Sequence, residues 1–261
     1  MHAIVRSLKE PKMNRDRFIQ NYSRREVLNA LGLGAVTILF GHDAFRSILN
    51  RESESGAHAA SLPGCVIRPE QTEGPYFVDE KLNRSDIRID PADKTNQPGV
   101  PFRLAFQVSR IEEGVCAPLS GAIVDVWHCN ALGVYSDVRD RRFDARGKKF
   151  LRGYQQTDAN GHAEFLTIYP GWYEGRSVHI HFKIRTAGSG TRAHEFTSQL
   201  YFDEAVTDFV FRQAPYHSKQ GHRTMNDADF VYRRGGKDLL LTPKKSAQGY
   251  VAKFAIGLRT S

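Results

Sequence analysis

The chain has 261 residues, 40% of them hydrophobic and 25% charged, which is the composition of a globular domain of about 200 residues with an appendage. Its net charge is +8, but the sequence has no dense basic run and no interleaving of basic and aromatic residues, so a nucleic-acid partner is not indicated. The excess of basic residues does indicate weak attraction of small anions. The three cysteines form no C-x-x-C pair, which argues against a thiolate zinc or redox site; one disulfide can form, and the sequence does not decide which pair.

The first 59 residues have the features of an export signal and a linker. Arg24-Arg25 precedes an uncharged stretch, Val27 to Gly41, which is shorter than the about 20 residues that span a bilayer. This pattern resembles a twin-arginine export signal with a cleavage pattern at Ala57-His58-Ala59, and a surface amphipathic helix is the alternative. We therefore expect residues 1–59 to direct export through the twin-arginine machinery and to be removed. The product would be a periplasmic or extracellular protein without a stable membrane anchor.

From residue 60 to 261 the pattern is typical of one β-rich domain. Residues 102–108 alternate apolar and more polar side chains, as in a strand with one buried face. Further strands are predicted in GAIVDVWHC, in both halves of GYQQTDANGHAEFLTI, in TSQLYF and in YVAKFAIGL. The best helix signal is DEAVTDFVF, capped by Asp203, and residues 78–100 and 214–238 read as loops. The sequence therefore predicts an all-β sandwich with long loops and few short helices.

The segment SVHIHFKIR places two histidines at alternate positions of a strand. Val178, Ile180 and Phe182 fall on one face, so His179 and His181 project together from the other. Imidazoles that are two residues apart on a strand suit convergence on one metal ion. A single H-x-H pattern on a strand more often marks a solvated polar face, but the neighbouring tyrosines and arginine favour a metal site here.

Two tyrosines occupy positions from which a phenol can reach the same site. Tyr135 follows a glycine after the strand that ends at Cys129, and Tyr173 precedes the strand of the histidines. Taken singly, each tyrosine is more often a packing residue with a satisfied hydroxyl. Their joint arrangement with His179 and His181 favours a site with four ligands.

Five separated motifs resemble those of the intradiol ring-cleavage dioxygenases, the family of the catechol and protocatechuate dioxygenases. In chain order they are G-x-Y-S, T-D-x-x-G, P-G-x-Y, G-R-x-x-H-x-H and S-Q-L-Y-F, within residues 65–257. PEQTEGPYFVDEKLNRSDIR and GAIVDVWHCNALGVYSD are similar to the extracytoplasmic, single-domain branch. The resemblance implies a β-sandwich catalytic domain over residues 60–261 and a non-haem Fe(III) cofactor. It also implies insertion of both atoms of O2 into a catechol-type ring to give a cis,cis-muconate-type diacid.

The same resemblance implies roles for individual residues. The implied Fe(III) ligands are Tyr135, Tyr173, His179 and His181. The implied catalytic residues are Arg176 and Tyr173. Arg176 matches an arginine that lies over the substrate ring, and Tyr173 matches the ligand that leaves when substrate chelates the metal. The implied substrate contacts are Gln199 and Tyr76. Trp172 precedes Tyr173 rather than following it, so no ring-stacking role is carried over. The helical dimerisation domain of the catechol dioxygenases is absent from the pattern, which leaves the oligomeric state open.

Two functions from other classes fit parts of the sequence. One is a non-catalytic binding protein of the same fold with a vestigial metal site, and the presence of all four ligands and of Arg176 argues against it. The other is a zinc or copper hydrolase that uses His179 and His181, but the sequence shows no third histidine or glutamate at a spacing suited to join them as a ligand, and no G-x-S-x-G motif. Tyr169 and the remaining histidines, His128 among them, are interpreted as structural. Which catechol is the substrate stays open.

Overall fold

The computed structural model describes residues 65–186 and 194–259, so the predicted export segment, residues 1–59, lies outside them. The strands are β1 (Pro101–Glu112), β2 (Val115–Pro118), β3 (Ile123–Trp127), β4 (Arg139–Asp140), β5 (Phe143–Asp144), β6 (Arg152–Gln156), β7 (His162–Ile168), β8 (His179–Arg185), β9 (Glu195–Tyr201), β10 (Lys244–Ser246) and β11 (Gly249–Arg259). The helical segments are α1 (Glu204–Phe211) and three short 3-10 turns at Tyr216–Ser218, Asn226–Ala228 and Gly236–Leu239. Within the described ranges, no helix has the length and apolar character needed to cross a bilayer.

Two sheets pack face to face. The first has the order β10-β11-β1-β2, with β7 also paired to β1, and the second has the order β6-β3-β8-β9. Aromatic side chains join the sheets across the core: the ring of Phe182 on β8 lies 5.4 Å from that of Phe106 on β1 and 5.5 Å from that of Phe254 on β11. The predicted all-β sandwich is confirmed.

Strand β1 shows how the sequence pattern produces this core. Phe102, Leu104, Phe106 and Val108 are buried, and the intervening Arg103 is exposed, as the period-2 alternation predicts. The strand pairs in parallel with β11 on one side and antiparallel with β7 and β2 on the other. Its apolar face therefore anchors the centre of the first sheet.

The consecutive strands β6 and β7 belong to different sheets. Both strands were predicted in the two halves of GYQQTDANGHAEFLTI, joined at Asp158-Ala159-Asn160-Gly161. The Asp158 carboxylate accepts hydrogen bonds from the backbone amides of Asn160 and His162 in this turn. The turn does not form a hairpin, because β6 pairs with β3 and β7 pairs with β1. The chain crosses here from one layer of the sandwich to the other.

A helix cap and a disulfide stabilise the domain. Asp203 caps α1 by accepting hydrogen bonds from the backbone amides of Ala205 and Val206, as predicted. A disulfide joins Cys65 to Cys116 at the start of β2, with Cα atoms 5.7 Å apart, and Cys129 is a buried free thiol. The structure thus decides the pairing that the sequence left open.

Candidate metal centre

Strand β8 carries both histidines into a closed part of the second sheet. It lies between β3 and β9, with His181 opposite Trp127 on β3 and Gln199 on β9. His179 and His181 are 2% and 1% exposed, because aromatic side chains such as Trp127 and Tyr173 cover this face. Their Nε2 atoms are 3.0 Å apart. The two imidazoles therefore converge on one point rather than facing solvent.

Both predicted tyrosines reach the same point. The hydroxyl of Tyr173 lies 3.3 Å from His179 Nε2, and that of Tyr135 lies 3.5 Å from the same atom. Tyr135 is 1% exposed and stacks on Tyr76, with ring centroids 4.5 Å apart, whereas Tyr173 is half-buried. The four predicted ligands are thus brought together from the loop before β4, the loop before β8 and β8 itself.

Neighbouring groups set the orientation of the two imidazoles. His179 Nδ1–H donates to the backbone carbonyl of Ser177 at 2.6 Å, which leaves Nε2 as the atom with a free lone pair. The ring of His181 stacks on Trp127, with centroids 5.0 Å apart and planes at 8°. Gly74 approaches the other side: a Cβ at this position would stand 3.3 Å from His181 Cε1. The rings are therefore held in place by the protein.

Burial keeps all four donor groups neutral in the absence of a cation. It lowers the pKa of His179 to about 3, with the positive charge of Arg176 acting in the same direction. Burial also lowers the pKa of His181, and neighbouring His179 adds to the effect. It raises the pKa of the Tyr135 phenol well above its usual value and raises that of Tyr173, which Arg176 partly opposes. Only a bound cation would make phenolates favourable at neutral pH.

The geometry and the donor types fit a hard metal ion. Ligands about 2.1 Å from one ion and about 90° to 120° apart stand about 3.0 to 3.6 Å from one another, and the three donor–donor distances of 3.0, 3.3 and 3.5 Å lie in this range. His181 Nδ1 is buried without a hydrogen-bond partner in the described part of the chain. That part also holds no group of three or more His, Cys, Asp and Glu side chains placed to bind a metal, so binding here depends on the tyrosines. Two phenolates favour a trivalent ion.

Arg176 and Gln199 are joined beside this centre. The Nη2 of Arg176 donates to Gln199 Oε1 at 2.5 Å, and Gln199 Nε2 donates to the backbone carbonyl of Thr72 at 2.8 Å. Gln199 is fully buried, and Arg176 is largely buried. The structure thus places the implied catalytic arginine and the implied substrate-contact glutamine in one hydrogen-bonded pair.

Tyr76 lies at the rim of the candidate site, next to the two tyrosines. Its ring packs against Tyr135 and Tyr173, and its hydroxyl donates to Asp140 Oδ2 at 2.9 Å. Burial and this carboxylate raise its pKa, so it stays a neutral phenol. Arg142 pairs with the same carboxylate and makes the rim polar.

Residues interpreted as structural occupy structural positions. The Tyr169 hydroxyl and Thr207 Oγ1 are 2.8 Å apart within the core. His128 is buried, with Nδ1 2.8 Å from the backbone carbonyl of Cys129 and Nε2 2.7 Å from Thr167 Oγ1. Neither side chain takes part in the metal centre.

The sequence did not indicate several residues that shape this site. Trp127, Ser177, Gly74 and Asp229 contact or position the residues above. Trp127 lies in the predicted strand segment GAIVDVWHC, and Ser177 begins the segment SVHIHFKIR. The pairing register of these two strands, had it been known, would have indicated that both residues lie near the histidines. Asp229 lies in a predicted loop 50 residues after the histidines, and no local pattern distinguishes it.

Comparison with known proteins places this site in a family context. A family model described as Dioxygenase matches residues 72–222. The chain is 32% identical over 183 residues to a chlorocatechol 1,2-dioxygenase of Pseudomonas sp. strain P51, which covers 62% of this chain and 69% of that protein. It is 26% identical over 200 residues to catechol 1,2-dioxygenase 1 of Acinetobacter lwoffii, which covers 66% of this chain and 58% of that protein.

A solved structure extends the likeness to the fold. An intradiol ring-cleavage dioxygenase from Tetranychus urticae matches with a TM-score of 0.62 at 28% identity, over 75% of this chain and 94% of that one. The match covers nearly the whole of the solved protein, so the resemblance extends over its fold and not only over a few motifs.

Proposed function

The chain belongs to the intradiol ring-cleavage dioxygenases, and on that premise we propose that it uses non-haem Fe(III) to cleave a catechol-type ring between its two hydroxyl-bearing carbons. Both atoms of O2 would enter the product, a cis,cis-muconate-type diacid. The observation that carries the proposal is the convergence of Tyr135, Tyr173, His179 and His181 within 3.0 to 3.5 Å on a buried point.

When bound by these four residues, Fe(III) would supply a Lewis-acid centre that holds the catechol and makes its ring reactive toward dioxygen. His179 is prepared for this role because Ser177 fixes its tautomer, and both imidazoles stay neutral because burial lowers their pKa values. Tyr135 has no room to move between Tyr76 and the imidazoles, so we propose that it stays bound throughout.

Tyr173 is suited to receive a substrate proton. It is half-buried, unlike Tyr135, and burial raises its pKa, so its phenolate would be a strong base. We propose that the Tyr173 oxygen takes a proton from the entering catechol hydroxyl and that the ring turns aside as it does so.

Arg176 is placed to stabilise negative charge on the substrate. Asp229 and Gln199 hold its Nε and Nη2 atoms, while Nη1 has no hydrogen-bond partner among residues 65–186 and 194–259. A guanidinium that is already held in place stabilises developing charge effectively, and loss of such a donor typically costs about 3 kcal/mol in the transition state.

The proposal is tested on the purified protein. We expect about one iron per chain and a red-brown colour from charge transfer between tyrosinate and Fe(III). Oxygen uptake should be measured with catechol, protocatechuate, hydroxyquinol and larger plant catechols, and the product should be identified. A protein that stays colourless after reconstitution with iron would refute the proposal, and a semialdehyde product would indicate extradiol cleavage instead.

We also propose that residues 1–59 direct export by the twin-arginine route. Arg24-Arg25 and the short apolar stretch after them support this, and the Cys65–Cys116 disulfide fits an oxidising compartment. With Arg24 and Arg25 both replaced by lysine, the protein should accumulate in the cytoplasm with Cys65 and Cys116 reduced. Unchanged export of this variant would contradict the proposal.

A further inference from the structure

Asp229 is a fully buried carboxylate that contacts the residues before β8. It follows the 3-10 turn Asn226–Ala228, and it is 0% exposed. Its Oδ2 accepts hydrogen bonds from Arg176 Nε at 3.0 Å and from the backbone amide and the hydroxyl of Ser177, both at 2.9 Å. Its Oδ1 accepts from the backbone amide of Val231 at 2.8 Å and also lies 3.2 Å from Arg176 Nε.

One side of this network leads to a predicted metal ligand. The backbone amide and the hydroxyl of Ser177 both donate to the Asp229 carboxylate, and the Ser177 carbonyl accepts a hydrogen bond from His179 Nδ1–H at 2.6 Å. A group that fixes Ser177 therefore also fixes the direction in which His179 Nε2 points.

The other side leads to the predicted catalytic arginine. Asp229 binds Nε of the Arg176 guanidinium, and Gln199 Oε1 and the Tyr201 hydroxyl lie 2.5 and 3.5 Å from Nη2. The plane of the guanidinium is thus fixed at two of its three nitrogens. Nη1 keeps its donors for a substrate.

We propose that Asp229 is a positioning residue of this site: its carboxylate holds both the Arg176 guanidinium and Ser177, the residue whose carbonyl orients His179. The inference rests on the proposed function for its catalytic meaning. Asp229 lies beyond residues 72–222, the segment that the family model matches, and none of the five sequence motifs described above contains it.

Only a carboxylate satisfies all of these partners. Arg176, Ser177 and Val231 present donors alone to the two oxygens of Asp229. Burial by itself would raise the pKa of Asp229, but the charge of Arg176 and the amide donors hold it below the usual value. An asparagine of the same shape has one acceptor oxygen, so its NH2 group would face a donor and lose contact with either Val231 or Ser177.

The chain offers a matched control. Asp125 on β3 is also a buried aspartate that binds an arginine, with Arg185 Nε and Nη2 both 2.9 Å from its oxygens. None of its hydrogen bonds in the described residues reaches the metal centre. The comparison of Asp229→Asn with Asp125→Asn therefore separates positioning from the general cost of breaking a buried ion pair.

The experiment compares four properties of the full chain: iron content, the charge-transfer band, the kinetic constants and amide hydrogen exchange. For Asp229→Asn we expect iron content near that of the wild type, a shifted charge-transfer band, and a kcat for catechol lowered about 10- to 100-fold with a smaller change in KM. Amide hydrogen exchange of a peptide that spans Ser177 should become faster. For Asp125→Asn all four properties should match the wild type.

Each outcome decides the inference. The inference would be overturned if Asp229→Asn had the kcat and the charge-transfer band of the wild type. It would also be overturned if Asp125→Asn lost as much kcat as Asp229→Asn. If Asp229→Asn does not fold, hydrogen exchange is measured on the wild type alone. The inference is overturned if the Ser177 amide then exchanges as fast as an exposed amide. If the wild type consumes no oxygen with any catechol, the proposed function fails, whereas the exchange comparison still decides whether Asp229 holds Ser177.

Discussion

Tyr135 and Tyr173 reach the same imidazole nitrogen from environments of different exposure. Tyr135 is enclosed, and Tyr173 is half-buried beside Arg176. Tyr173→Phe should therefore still bind iron and substrate but turn over about a hundredfold more slowly, because the displaceable base is lost. Tyr135→Phe should retain iron poorly and alter the spectrum of the substrate complex, because it removes a charge that every stage needs.

The visible spectrum of each variant, before and after anaerobic addition of catechol, checks these roles. A strong change of the substrate-complex spectrum in Tyr173→Phe with almost none in Tyr135→Phe would reverse them. Unchanged resting spectra in both variants would show that neither tyrosine is a ligand.

The buried imidazole of His128 makes stability depend on pH. Burial lowers its pKa from 6.5 to about 4, so the folded protein keeps it neutral while the unfolded chain takes up a proton near pH 6.5. Between these values the unfolded state binds more protons, and the free energy of unfolding should fall as pH falls, by up to about 3 kcal/mol. Urea denaturation from pH 7 to 4 measures this. His128→Gln should show a shallower pH dependence, and an identical slope would contradict the prediction.

At the scale of elements, the loop that contains Gly74 packs against His181 of the candidate metal centre on β8. Gly74 has φ of +73°, and a Cβ there would stand 3.3 Å from His181 Cε1, whereas Gly121 has φ of +75° with nothing within 4 Å. Gly74→Ala and Gly121→Ala should each lose about 1 to 2 kcal/mol of stability from the left-handed backbone. Only Gly74→Ala should also displace His181 and weaken iron retention, about tenfold or more.

Iron that remains after dialysis against a chelator, measured together with urea denaturation, checks this pair. Equal iron retention in both variants would mean that the loop does not position His181. Loss of iron from Gly121→Ala would point to general destabilisation instead.

At the scale of the whole molecule, one covalent link joins the start of the described domain to its first sheet. The Cys65–Cys116 disulfide spans a sequence separation of 51 residues and should stabilise the fold by about 2 to 4 kcal/mol. Thermal unfolding of the double variant Cys65→Ser/Cys116→Ser should occur at a lower temperature. Reductant should lower the unfolding temperature of the wild type to that of the double variant, and it should leave the unfolding temperature of the double variant unchanged. An effect of reductant on the double variant would show that another thiol is responsible.

The sequence by itself determined the features that depend on short-range order. The alternation in residues 102–108 predicted the buried face of β1, and the side-chain period of a strand placed His179 and His181 on one face. The capping preference of Asp203 predicted α1. The ligand set came from the order of motifs and the family resemblance, since no spacing rule brings Tyr135 next to His179.

Only the tertiary structure decided which distant groups meet. It assigned β6 and β7 to opposite sheets, paired Cys65 with Cys116, and brought Asp229 beneath Arg176 and Ser177. These contacts join residues up to about fifty positions apart, and they form because burial of the apolar faces of two sheets fixes where the loops between strands lie. A local pattern carries no information about that closure, so the positioning of the candidate site became visible only in the folded chain.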